Sequence, residues 1–172
     1  MITVNIDDGD AKKELQRIAQ AGANMHPLYL SIGEQITNST QERFRTSTAP
    51  DGSRWQLNGL STYMALIDKK DQRKDGSLNQ RGINKALNKQ PLIGELGWNG
   101  GLADQIYYET DESGVSIGSS KPYAAMQQFG GTKAQFPQLW GDIPTRPFLG
   151  LSDEDNEDIL AMALDHLANS QT

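Results

Sequence analysis

The sequence contains no cysteine, which excludes disulfides, thiolate nucleophiles and the usual zinc-finger sites. It holds two histidines, His26 and His166, and neither lies in a motif such as G-x-S-x-G or H-E-x-x-H. His26 falls beside an expected helix break and His166 on the apolar stripe of an expected last helix, so both read as structural residues. No run approaches the roughly 18 consecutive apolar residues of a membrane helix. The opening MITVNIDDGD lacks the basic start and apolar centre of a secretion signal. The expected setting is therefore a bacterial cytoplasm, away from membranes. No catalytic residue, cofactor or metal is expected.

Excess positive charge is also missing. The net charge is −6, which argues against a general nucleic-acid binder, because phosphate binding needs clustered cations. The cations that exist are concentrated: Lys69, Lys70, Arg73, Lys74, Arg81, Lys85 and Lys89 stand against Asp68, Asp71 and Asp75. No aromatic residue lies between Lys69 and Lys89, so the interleaved rings of a single-strand binder are absent. After Gly150 the balance reverses, with Asp153, Glu154, Asp155, Glu157, Asp158 and Asp165 and no lysine or arginine. Solvated charge explains both segments, and so does head-to-tail pairing between copies of the chain.

What is present suffices for one globular domain over 1–172, since 36% of the 172 residues are hydrophobic. Ile2, Val4 and Ile6 alternate as in a short strand, and Leu15, Ile18 and Ala19 mark a helical face. Pro27 predicts a kink or a fresh helix start. Leu28, Ile32, Ile36 and Phe44 then repeat at multiples of four, predicting an amphipathic helix to about Arg45. Thr46 to Gly52 are turn formers. Residues 68–91 are so polar that an exposed loop is expected, disordered until a neighbour docks, with Leu87, Leu92 and Ile93 returning the chain to the body. Ile106 and Tyr108, then Val115 and Ile117, flank Asp111-Glu112-Ser113-Gly114 as a β-hairpin. Tyr123 to Phe129 read as a short helix stopped by Gly130-Gly131, and 132–150 as a long ordered loop. Ser152 and Asp155 resemble a capping pair, opening a helix striped by Ile159, Met162, Ala163, His166 and Leu167. The fold class is α+β, an antiparallel sheet packed with a long N-terminal helix and a C-terminal helix.

Other chemistry is poorly supported. The acidic run from Asp153 lacks the glycine and bidentate glutamate of a calcium loop, and Asp71 to Gly76 has Arg73 where a ligand should be. Gly97-x-x-Gly100-Gly101 is not followed by the Lys-Ser/Thr of a phosphate loop. More unusual are two aromatic and proline landmarks. Phe44, Pro50, Asp51, Gly52 and Trp55 combine a helix end, a tight turn and a ring able to fold back. Pro144, Arg146, Pro147 and Phe148 form a strip whose two prolines stiffen the path, so that Arg146 is expected as a rigidly presented cation. A strip ordered in advance loses little entropy on docking.

FRTSTAPDGSRW, GLADQIYYETDESGVSIGS, KPYAAMQQFGG and IPTRPFLGLSDEDNEDI, in this order, resemble the phage virion morphogenesis family, whose Mu-like members are called tail completion proteins. Tyr123-Ala124, Phe129-Gly130 and Pro144 to Gly150 fill the family's landmarks, over roughly residues 30–168. The resemblance implies a structural, non-enzymatic protein of the head–tail junction or neck, acting in the virion after synthesis in host cytoplasm. Its implied partners are copies of itself in a ring-like homo-oligomer, often a hexamer among similar neck proteins, and tail tube, tail terminator and head-connector proteins, with DNA passing through the assembly. Lys69, Lys70, Arg73, Lys74 and Arg81 would form a charged contact loop. The alternative is a DNA-contacting module with the 69–89 segment on phosphates.

Overall fold

The computed structural model describes residues 13, 16–19, 22–93, 100–139 and 141–169. The opening strand at Ile2 to Ile6 and the role of Leu15 lie outside these residues; Ile18 and Ala19 are helical.

Helix α1 spans His26–Thr46, with Pro27 in its first turn, where a missing N–H costs nothing. Its apolar spacing does what a four-residue repeat dictates. Leu28, Ile36 and Phe44 are buried and Ile32 half-buried, along one stripe. The helix ends at Ser47, whose φ of 55° is left-handed and whose neighbour Thr48 donates its N–H to Arg43 O at 3.1 Å.

The hairpin pairs β1 (Ile106–Thr110) with β2 (Val115–Ser119) antiparallel, Tyr108 opposite Ile117. Asp111 shapes the turn by accepting from the Ser113 N–H at 2.7 Å and the Gly114 N–H at 3.0 Å. Both strands pack on α1. The approach is close because Gly33 has no side chain: a Cβ there would stand 2.2 Å from the Tyr108 ring.

The C-terminal helix α5 (Asp153–Asn169) packs on α1 as well. Ser152 and Asp155 form the expected reciprocal cap: the Ser152 N–H donates to Asp155 at 2.8 Å and the Asp155 N–H to Ser152 Oγ at 3.1 Å. The molecule is α+β, with the antiparallel sheet and the C-terminal helix both resting on the long helix.

The core gathers Phe44, Trp55, Leu102, Ile106, Ala124 and Phe148, flanked by Leu92, Ile93 and Leu149. Phe44 meets Trp55 edge-on at 5.3 Å and Phe148 at 5.4 Å between ring centroids. Each such ring contributes roughly 2–3 kcal/mol by burial, and each pair about 1 kcal/mol more.

The polar segment corrects the loop expectation. Helix α2 (Leu60–Leu66), a 3-10 turn (Lys69–Asp71) and helix α3 (Gln80–Asn88) form an ordered arm. Its centre is not apolar but ionic. Asp71 is fully buried: it accepts from Lys85 Nζ at 2.6 Å and from the Asp68 N–H at 3.0 Å, and its other carboxylate oxygen forms an ion pair with Arg81 Nε at 3.0 Å. Asn79 caps α3 by accepting from the Gly82 N–H at 3.1 Å. Gly82 is required by proximity, since a Cβ would lie 2.5 Å from the Asp71 carbonyl. Leu92 and Ile93 rejoin the core as expected; Leu87 does not, being 77% exposed.

Candidate interaction surface

The two landmark motifs prove to be one construction. Helix α4 (Ala124–Phe129) ends at Gly130, where φ is 71° and a Cβ would stand 2.8 Å from Thr145 N. The strip 144–150 therefore runs hard against α4. Gln128 clamps it, its Oε1 accepting from the Phe148 and Leu149 N–H groups at 2.9 and 3.0 Å while its Nε2 donates to Leu149 O at 2.9 Å. Trp55 Nε1 donates to Pro147 O at 2.7 Å, so the ring beyond the Pro50-Asp51-Gly52 turn fastens the strip as well as the helix. In that turn Pro50 lies against Gly150, where an added Cβ would come within 2.8 Å.

Arg146 is the main correction. Expected as a presented cation, it is buried at 6% exposure. Its Nε donates to Gln56 O at 2.9 Å and its terminal nitrogens to Leu57 O at 3.1 Å and Gln127 Oε1 at 3.4 Å. Burial pushes the guanidinium below its ordinary pKa, with Tyr63 opposing. Two prolines do stiffen the strip, but they aim Arg146 inward, where it ties the 55–57 segment to α4.

Arg43, and its pairing with Asp155, were missed. Arg43 sits within the helix stripe and Asp155 within a run that reads as solvated charge. Both are buried and paired. Arg43 also donates to Phe148 O at 3.0 Å and Gly150 O at 2.8 Å. Burial lowers the Arg43 pKa and Asp155 pulls it back. For Asp155 burial raises the pKa, but the Ser152 N–H, the Ser39 and Ser152 hydroxyls and the Arg43 charge outweigh it, leaving the carboxyl below its ordinary value. The capping spacing from Ser152 was the one sequence signal that Asp155 has a specific role.

The charged residues of the arm divide. Arg81 is held by Asp71, and Lys70 approaches Asp68 at 3.6 Å. Lys69, Lys70, Arg73 and Lys74 are exposed near its tip. Cations paired with the arm's own carboxylates leave less net charge for a phosphate backbone than the sequence suggests.

His166 Nε2 lies 3.0 Å from Asn24 O. His26 is exposed beside a depression shared with Asp111 and Glu112, and Asp111 is occupied by the hairpin turn. Among the described residues no group of three His, Cys, Asp or Glu could hold a metal, and no helix is long and apolar enough to cross a membrane.

Large hydrophobic side chains also remain on the surface. Among the described residues, ten hydrophobic residues are buried and thirteen large ones are exposed. Leu57, Leu60, Met64 and Leu87 stand out along the arm, Tyr123 and Phe129 on α4, and Leu160 and Leu164 on α5. Of the motif residues, then, Phe44, Trp55, Arg146 and Phe148 are internal, whereas Tyr123, Phe129, Asp51 and Gly52 face solvent.

The model of the phage virion morphogenesis family matches residues 6–168. A curated relative, the Mu-like prophage FluMu G protein 2 of Haemophilus influenzae, is 26% identical over 161 residues, covering 93% of this chain and 91% of its own. No solved structure matches the chain. The chain belongs to the phage virion morphogenesis family.

Proposed function

We propose that this member of the phage virion morphogenesis family is a non-enzymatic structural protein that completes or terminates the tail at the head–tail junction. It acts as one unit over 1–172, through contacts with copies of itself in a ring-like oligomer, of which a hexamer is the first candidate. Tail-tube or terminator proteins and head-connector proteins are its further partners, with DNA passing through the assembly. The observation that carries this reading is the exposure of large apolar side chains in excess of those buried. Such a surface is costly in water and suits a protein whose working state is covered by neighbours. The family and its Mu-like relative support a role in building the particle.

Antibody labelling of purified particles under the electron microscope tests the location. Label at the head-proximal end of the tail is the expected result. Label spread along the tail, or absent from finished particles, would overturn the neck assignment. Salt-sensitive duplex binding at about 50 mM salt would instead favour the DNA-contacting alternative.

A further inference from the structure

Helix α5 has two different faces. Asp155, Ile159, Met162 and His166 turn toward the body, all buried or half-buried. The opposite stripe is exposed: Asp153, Glu154 and Glu157 in the first turns, then Leu160 and Leu164. Helical geometry puts Glu157, Leu160 and Leu164 on one line, and the stripe from Glu154 to Leu164 is about 15 Å long. It is acidic at one end and apolar at the other, and no lysine or arginine lies in the helix.

The arm carries the converse pattern. At its root are Leu60 on α2 and Leu87 at the end of α3, with Met64 one turn further out, all strongly exposed. At its tip are the exposed cations Lys69, Lys70, Arg73 and Lys74. The acids of the tip are largely engaged: Asp71 is buried by Lys85 and Arg81, Asp75 accepts from the Ser77 N–H and hydroxyl, and Asp68 lies near Lys70 and Lys85. Because the Asp71 node holds the 3-10 turn to α3, the tip is presented by a folded unit and not by a floppy loop.

Taking as given the reading that copies of this chain assemble with one another, we infer that the arm of one copy seats on the outward stripe of α5 of the next, tip cations against Asp153, Glu154 and Glu157, and arm leucines against Leu160 and Leu164. The occupant is a second copy because one chain carries both complementary patterns on different elements. Within a copy α5 packs on α1, while α3 packs on α2 and the 3-10 turn. Such a contact is heterologous: each copy uses two different surfaces, so the chain of contacts closes into a ring or extends.

Two charge-reversed proteins test this. One carries Lys69→Glu, Lys70→Glu and Lys74→Glu; the other carries Asp153→Lys, Glu154→Lys and Glu157→Lys. Mass is measured by light scattering at a concentration where the unaltered protein assembles. Alone, each reversed protein repels its own kind and self-association falls at least tenfold; mixed in equal amounts, they assemble again, because both arm–helix pairs are then opposite in sign. Either reversed protein assembling like the original, a mixture that stays monomeric, or an original protein that never self-associates would overturn the inference. Circular dichroism checks folding. If the lysine-bearing helix does not fold, Leu160→Ser with Leu164→Ser replaces it, again with a tenfold loss expected and an unchanged assembly state overturning the contact. Reversed variants that still restore head–tail joining would sink this contact alone. Failure of the unaltered protein to restore joining to a gene-deleted lysate would sink the assembly reading itself.

Discussion

Arg43 on α1 and Asp155 in the first turn of α5, 112 residues apart in sequence, form an ion pair whose side chains are only 7% and 3% exposed. The pair joins the long helix, the C-terminal helix and the proline strip at one point, because Arg43 also donates to the carbonyls of Phe148 and Gly150. Removing one partner strands a buried charge, and Asp155→Ala should cost about 3–5 kcal/mol. Urea unfolding checks this. In the Arg43→Met, Asp155→Leu double variant the loss should be clearly smaller than the sum of the single losses.

Arg146→Ala should act on the fold before it acts on any partner. It leaves the carbonyls of Gln56 and Leu57 without their donor, a loss of about 2–3 kcal/mol. A thermal melt should move down, and Arg146→Lys should recover little of it, because an ammonium cannot reproduce the guanidinium fork. An unchanged melt with lost assembly would restore Arg146 as a contact residue.

Gly130→Ala and Gly52→Ala separate crowding from backbone preference. Both sites have positive φ, 71° and 79°, but only at Gly130 would a Cβ meet backbone, 2.8 Å from Thr145 N. Gly52→Ala should cost about 1 kcal/mol from the left-handed backbone alone, and Gly130→Ala at least about 2 kcal/mol through the added clash. Chemical denaturation of the two proteins gives the comparison.

Asp71→Asn should loosen the arm and leave the aromatic core folded. Limited proteolysis should cut within 68–88 far faster than in the parent, while tryptophan fluorescence from the Trp55 environment changes little. Simultaneous loss of both would contradict an arm stabilised by its own ionic node.

Acid should release the arm and the α1–α5 junction together. The hydrogen bond from Lys85, with smaller help from the Asp68 N–H and Arg81, holds the Asp71 carboxyl below its ordinary pKa against the cost of burial. Asp155 is likewise lowered despite burial. A carboxyl depressed in the folded state contributes stability above its unfolded pKa of about 4, and that stability is lost as pH falls through the folded value. Lys85 is raised, chiefly by the same bond to Asp71, so its contribution is complete below its unfolded pKa of about 10.4 and is lost as pH rises through the folded value. Stability measured against pH should therefore fall at both extremes, and Asp71→Asn should weaken both limbs.

The apolar patterns in the sequence carried the long helix, the hairpin, the short α4 and the cap of α5, because periodicity and turn chemistry are local. The arm was misread for a physical reason. Its order depends on Asp71 meeting Lys85, fourteen residues on, and a buried ion pair leaves no apolar repeat. Arg43 was passed over and Arg146 misjudged for a similar reason, since a guanidinium satisfied by carbonyls looks in sequence like any surface cation. Phe148 and Trp55 were legible as anchors. That they brace the molecule, while the arm, Phe129 and the outer stripe of α5 face outward, required the packing.

The most direct measurement of the central claim is the fraction of heads joined to tails when the gene is deleted from the phage that encodes it, counted by electron microscopy with and without the protein restored. A structural completer of the tail predicts separate heads and tails, and joined infectious particles once the protein is supplied. Joined particles at the normal yield without it would contradict the account.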